Sequence, residues 1–435
     1  MNNFAPPILA TLQVIIEKLK NYQSLNYRGL NLSDITFVCV QHLLFTTIDL
    51  IKALIILGAK PNNIHIMGKI YSSCPLVIEE LTSLGVIYYP SSSPSRYGHF
   101  EYYFNGDIIN MWSNITTDII TKSITKIIIL DDGSKAISNI PQFLSENYKI
   151  FAVEQTSSGV AHLKKKNIRF PVINVAYSAA KQLLEAPMIA KAVVNKLDKF
   201  LPLFPTTCGV VGLGVIGRAI SQKLLSLNHK VIVYDPAKEK YDFMNSVEIV
   251  ENVQLLFQNS NYIFGCAGED ITVNLDLTQI QGIKNLISCS SQDIEFQTLL
   301  KIIHSTSPNY EVEDVLANID FPIYNGVFKI YRGGYPVNLD NSGESVPAES
   351  IQLTRGLLLG GILQAIFQLS QEPVHTFHQY MLHPKLQKLV VQAWVNNQKE
   401  YISNRLIKKF LNDEWIKNNS RGEYIDNDII SKYFI

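Results

Sequence analysis

The run TTCGVVGLGVIGRAISQKLLSLNHKVIVYDP, Thr206 to Pro236, decides how this chain folds. An apolar strand, CGVVG, leads into Gly212, Gly214 and Gly217, spaced G-x-G-x-x-G. RAISQKLLSL follows with the spacing of a helix, and KVIVYD reads as a second strand ending in Asp235. The first glycine permits a tight turn. The second lets a diphosphate approach the backbone, and the third lets helix and strand pack closely. Val215 and Ile216 open the helix, whose first N–H groups suit a pyrophosphate. Asp235 is placed to accept hydrogen bonds from an adenosine ribose and would repel a 2′-phosphate, so the motif predicts NAD rather than NADP. A Rossmann-like unit that binds nothing is the plainer reading. It leaves unexplained why strand, glycines, helix and acid stand in register. Gly268, in IFGCAGED, falls at the end of a later strand. It would face the nicotinamide side, or simply make a turn.

Upstream, the same alternation repeats. ITFVCV (Ile35 to Val40) is an apolar β-branched run, and a helical stretch from Phe45 to Leu57 is stopped by Gly58. NIHIMG, VIYYP, TKIIILDDG, KIFAVEQ and PVINVAYS are further short strands, with helical stretches among them. Repeated strand–helix units predict an α/β protein. The expected architecture is two Rossmann-like, doubly wound parallel-sheet domains with a helical C-terminal segment. A substrate domain is expected over 1–187, completed by 346–400. The NAD-binding domain is expected over 188–345, with a tail over 401–435. One long helix is predicted from Ala186 to about Leu201.

Composition sets bounds. At 435 residues, 47% hydrophobic, the chain is too long for a single core. Its 38 basic and 38 acidic residues cancel, so no nucleic acid or acidic lipid surface is called for. The five cysteines include no CxxC pair, which predicts neither a disulfide framework nor a metal site. The N-terminus lacks the basic start and small-residue cleavage site of a secretory signal. The longest apolar run, GLLLGGILQAIF (Gly356 to Phe367), is too short to span a bilayer. A soluble cytoplasmic protein is the expectation.

The order of motifs carries a resemblance. DDG, then E-x-T-S-S-G-V, then P-x-I-N-V-x-x-S-x-x-K, a long helix and G-x-G-x-x-G together resemble S-adenosylhomocysteine hydrolase, from about Ile35 to Phe367. In that family a tightly bound NAD oxidises the ribose 3′-hydroxyl. A thioether then leaves, water adds, and the ketone is reduced back. The resemblance makes Lys181 the base at the 3′-hydroxyl, with Glu185 beside the ribose. It sets Asp132 in the substrate cleft and His42 at the leaving group. Glu154, Gln155 and Thr156 become a ribose-facing loop, and Asn338 lies near cofactor and ribose. It also implies a cleft between two domains, closure on the substrate, and a homo-oligomer, dimer or tetramer. Departures are equally visible. Gln155 stands where the family has a second glutamate, and Ala176 and Ala186 stand where it has asparagines. Leu44 and Thr46 replace the threonine and glutamate around adenine. SCSSQDIE and SGESVP lack the family's histidines, and the flanks of Lys432 and Tyr433 in the tail do not match. The reading is a divergent member that acts on another nucleoside or a sugar-like alcohol.

Each residue also has a plain reading. Lys181 and Glu185, four apart, make a surface ion pair on a helix. Asp131 or Asp132 caps a helix. His42 is an ordinary turn histidine. At the level of the whole chain, one alternative is a catalytically dead NAD-binding regulatory or scaffold protein. Another is a 2-hydroxyacid dehydrogenase, a family that also carries G-L-G-x-x-G followed by an acid. That family needs an arginine and then a Glu–His pair after the glycine motif. From Pro236 to Tyr331 this chain has no arginine, and His304 is its one histidine, so this reading ranks third.

Overall fold

Most strands of the first half are buried on both faces, and the reason is topological. In the computed structural model β1 (Ile35–Val40), β2 (Ile64–Met67), β3 (Ile87–Tyr89), β4 (Lys126–Asp131), β5 (Lys149–Glu154) and β6 (Val172–Asn174) form one parallel sheet. A late strand, Gln379–Met381, adds beyond β6, also parallel. Parallel strands need crossovers, and the crossover helices cover both faces. The structure describes residues 8–26, 32–197, 201–202, 204–237, 241, 246–306, 313–369, 377–397 and 404–424; Lys432 and Tyr433 lie outside these.

From the late strand inward, the order is Gln379–Met381, β6, β5, β4, β1, β2, β3. The chain runs outward from β1 in one direction, then restarts at β4 and runs the other way. The carboxyl ends of β1 and β4 therefore flank a topological switch point, where open α/β sheets receive ligands.

Helix Ala348–Leu369 packs against β4 and β5. It is long and apolar enough to pass for a membrane span, yet all of its apolar window is buried inside the protein. Glycines bring it close: a Cβ on Gly361 would stand 2.9 Å from Val153 and 3.0 Å from Val175. It is a core helix.

The second sheet holds β7 (Thr207–Val211), β8 (Lys230–Tyr234), β9 (Glu248–Ile249), β10 (Tyr262–Gly265), β11 (Gln281–Ser288), β12 (Ile319–Ile323) and β13 (Asn325–Ile330). Its order is β12-β13-β11-β10-β7-β8-β9. Only β12 runs antiparallel, as an edge strand that tolerates Pro322 because an edge leaves one row of N–H groups unused. Here the switch point lies between β7 and β10.

Two units result. One comprises Met1–Ser91, Asn105–Glu185 and Val346–Ile435, and the other Ser92–Phe104 and Ala186–Ser345. The segment Ser92–Phe104 sorts with the second unit, outside the substrate domain expected over 1–187. The helix expected from Ala186 to about Leu201 starts there but is shorter. Lys181–Glu185 form a π-helical turn, and the α-helix proper is Ala186–Lys196.

Candidate active site

In the first unit the site is built from strand ends. β4 delivers Asp131 and Asp132, β5 delivers Glu154 and Gln155, and β1 leads through Gln41 into His42. Beyond β2 come Gly68 and Lys69. Asp132 is the hub. One carboxylate oxygen accepts from the Lys69 ammonium and the other from the Gln155 amide. His42 Nε2 stands 3.4 Å from the second oxygen, and His42 Nδ1 lies 2.5 Å from the Ser72 hydroxyl. Lys69 is fully buried and Asp132 nearly so.

Burial would raise the Asp132 carboxyl, but Lys69, His42 and the Gln155 hydrogen bond hold it well below the usual carboxylate range. Burial pulls the Lys69 ammonium down, and Asp132 overrides that, keeping Lys69 above the ordinary lysine range. His42 moves the other way. Burial lowers it to about 4, assisted by the positive charges of Lys69, Arg355 and Lys181 and only partly opposed by Asp132. At neutral pH its imidazole is uncharged.

The neighbouring carboxyls behave differently. Asp131 is pushed up to about 7 by burial, although Oδ2 accepts the Ile137 N–H at 2.9 Å. Asp131 thus takes the turn-holding role that the sequence left open between the two aspartates. Glu154 is also raised, by burial and then by Asp131. Its Oε1 accepts from Thr156 N and Thr156 Oγ1, both at 2.7 Å, and from Gly133 N at 3.1 Å. Thr156 in turn caps helix Ser157–Leu163, accepting the Gly159 N–H at 3.0 Å. Its hydroxyl is committed to the fold. Gln155 is different: its amide nitrogen serves Asp132, and its buried Oε1 has no hydrogen-bond partner among the described residues.

Lys181 and Glu185 form an ion pair of 2.5 Å across the π turn, and Glu185 also accepts from Thr354 Oγ1 at 2.8 Å. Both side chains are largely buried, so this is no surface pair. Two residues escaped the sequence reading. Lys69 carried only a weak signal, a cation directly after a buried strand. Arg355 is 4% exposed in the apolar helix Ala348–Leu369 and donates from Nε to Thr46 at 3.0 Å. Its signal was a lone charge in an apolar run.

The second unit carries the glycine turn. Gly212 has φ +91°, and a Cβ there would lie 2.6 Å from the Cys266 carbonyl. A Cβ on Gly217 would lie 1.8 Å from Gly212 O. Gly214 has open space where its Cβ would be, the opening a diphosphate needs beside the N-terminus of helix Val215–Ser226. Asp235 accepts the Leu213 N–H at 2.7 Å and the Ala237 N–H at 2.9 Å. Its carboxylate therefore stands beside the glycine turn, at the end of β8. Gly268 has φ +72° and open space around it, and buried Asn338 lies just beyond Pro336, which bridges the end of β11. These residues fit a dinucleotide. Among the described residues no group of three or more His, Cys, Asp or Glu side chains could hold a metal ion.

Comparison with known proteins bears on both units. Residues 184–270 match the family described as D-isomer specific 2-hydroxyacid dehydrogenase, NAD binding domain. An uncharacterized protein of Mycobacterium tuberculosis is 27% identical over 352 residues, 79% of this chain and 67% of that protein. An erythronate-4-phosphate dehydrogenase of Pseudoalteromonas translucida is 30% identical over 191 residues, 41% of this chain and 50% of that one. Among solved structures, an NAD+-bound 3-phosphoglycerate dehydrogenase of Entamoeba histolytica covers 77% of this chain and 94% of its own, at 13% identity and a TM-score of 0.35.

The family match overturns the resemblance to S-adenosylhomocysteine hydrolase, and with it the hydrolase chemistry and the one-carbon setting. The reason is physical. Both families share the glycine turn and the acid after it, and the upstream motifs double as backbone devices. DDGS is a turn with Gly133 and Ser134 at positive φ, and the threonine of EQTSSG is a helix cap. The homo-oligomer expectation rested on the same resemblance and loses its support. NAD is the cofactor, and the chain is 2-hydroxyacid dehydrogenase-like in its NAD-binding unit.

Proposed function

We propose that this chain is an NAD-dependent oxidoreductase interconverting a small secondary alcohol, of the 2-hydroxy acid class, with its ketone. The observation that carries this is the buried His42–Asp132–Lys69–Gln155 cluster at the first sheet's switch point.

Bound NAD supplies the hydride acceptor. The chain's residues manage the proton. Within the first unit, His42, uncharged at neutral pH, is the candidate proton acceptor, and Asp132 beside it would steady the imidazolium that forms. Gln155 Oε1, an acceptor lacking a donor, takes a hydrogen bond from a hydroxyl of the substrate. Lys181, held by Glu185, keeps positive charge near His42 and so favours its neutral form. Gly212, Gly214, Val215, Ile216, Gly217 and Asp235 hold the dinucleotide, with Gly268 and Asn338 toward its nicotinamide half.

A second reading, an NAD-binding protein that turns nothing over, draws on the missing arginine and Glu–His pair. One experiment separates the two. Purified protein is mixed with NADH and a panel of 2-oxo acids, then with NAD and 2-hydroxy acids, and the cofactor's absorbance is followed. Turnover that falls roughly 10²–10⁴-fold in H42N, with NAD affinity intact, is expected. A redox state that no member of the panel changes would favour the inactive protein.

A further inference from the structure

We infer that Glu295 is a positioning residue of the cofactor site, holding the loop after β10 in the shape that receives the nicotinamide half of NAD. The inference rests on the second unit binding NAD. β8 and β10 flank β7 on opposite sides. A dinucleotide with its adenosine ribose at Asp235 and its diphosphate at the glycine turn therefore extends over the end of β10. What stands there is the loop Cys266–Ala267–Gly268–Glu269–Asp270.

That loop is tied down in part by one side chain from the segment after β11. Glu295 is fully buried, and its Oε1 accepts the Gly268 N–H at 2.7 Å and the Ser290 hydroxyl. Its own carbonyl accepts the Ile271 N–H at 2.9 Å. Room for the carboxyl exists because β10 ends in glycine: a Cβ on Gly265 would fall 2.8 Å from Glu295 Oε2. A second clamp secures the far end, where Asp270 accepts from Thr298 N and Oγ1, both at 2.7 Å. The loop's near end abuts the glycine turn, since Gly212 leaves no space for a Cβ against Cys266 and Ala267. Gly268 itself is open to a ligand while its N–H is held from behind. Fixing such a loop before binding lowers the ordering cost that binding would otherwise carry.

The test compares NAD with ADP, which lacks the nicotinamide half, on the full-length protein by calorimetric titration. In E295A the affinity for NAD falls roughly tenfold while that for ADP stays within about twofold. E295Q, which keeps an acceptor oxygen facing Gly268, restores NAD affinity to within about twofold of wild type. Should E295A fail to fold, E295D draws the carboxyl back by one methylene and is expected to show the same split. Equal losses for NAD and ADP, or no loss for either, overturn the inference. Wild-type protein that binds neither nucleotide would overturn the cofactor assignment instead.

Discussion

Asp132 sits among one ammonium, one neutral imidazole and one amide, and its ionisation governs its neighbours. D132N leaves the Lys69 ammonium buried without its counter-charge, and breaking such a pair costs about 3–5 kcal/mol, which urea unfolding would register. The same substitution acts on His42. The Asp132 charge raises this imidazole, so its removal moves the His42 titration, about 4 in the wild type, lower still. Proton-detected NMR of the ring follows both, and a midpoint in the ordinary histidine range would contradict the burial argument. Asp131 has the opposite sign. Its folded-state pKa is raised to about 7, so its contribution to stability is fully present below the ordinary carboxyl value and is lost as pH rises through about 7. D131N stays neutral and escapes that loss. Its stability relative to wild type is expected to improve between about pH 4 and about pH 8, seen as converging or crossing urea midpoints.

Among the elements, the turn between β7 and its helix separates cofactor binding from folding. A Cβ at Gly214 meets nothing, whereas one at Gly217 collides with backbone. G214A is therefore expected to melt like the wild type and bind NAD more weakly. G217A loses both. Thermal unfolding alongside NAD titration distinguishes them. This turn was legible in the sequence because each glycine answers a local backbone demand. The parallel sheets were legible for a similar reason, since strands buried on both faces need apolar residues throughout. Lys181 and Glu185 were visible as a spacing, though not as a π turn. Lys69 and Arg355 could not be read, because their partners are 63 and 309 residues away, and no local pattern records such a pairing. The family reading failed at short polar motifs, where turn and cap chemistry produces the same residues as a ligand site.

At the level of the molecule, NAD binds one unit and so stabilises that unit first. At a hundredfold excess over Kd the gain is about 2.7 kcal/mol. Scanning calorimetry is expected to show a transition that NAD moves upward and NADP leaves in place, because Asp235 repels the extra phosphate. The order of the segments along the chain has a consequence for synthesis. Helix Ala348–Leu369, which covers β4 and β5, is translated only after the whole second unit. At ribosomal rates of about 5–20 residues per second, that delay is on the order of ten to thirty seconds. Throughout it the nascent first sheet has an uncovered oily face beside a neighbour that can already close its own core. The newborn chain is thus expected to need shielding during that interval, and a fragment released before the helix emerges is expected to aggregate.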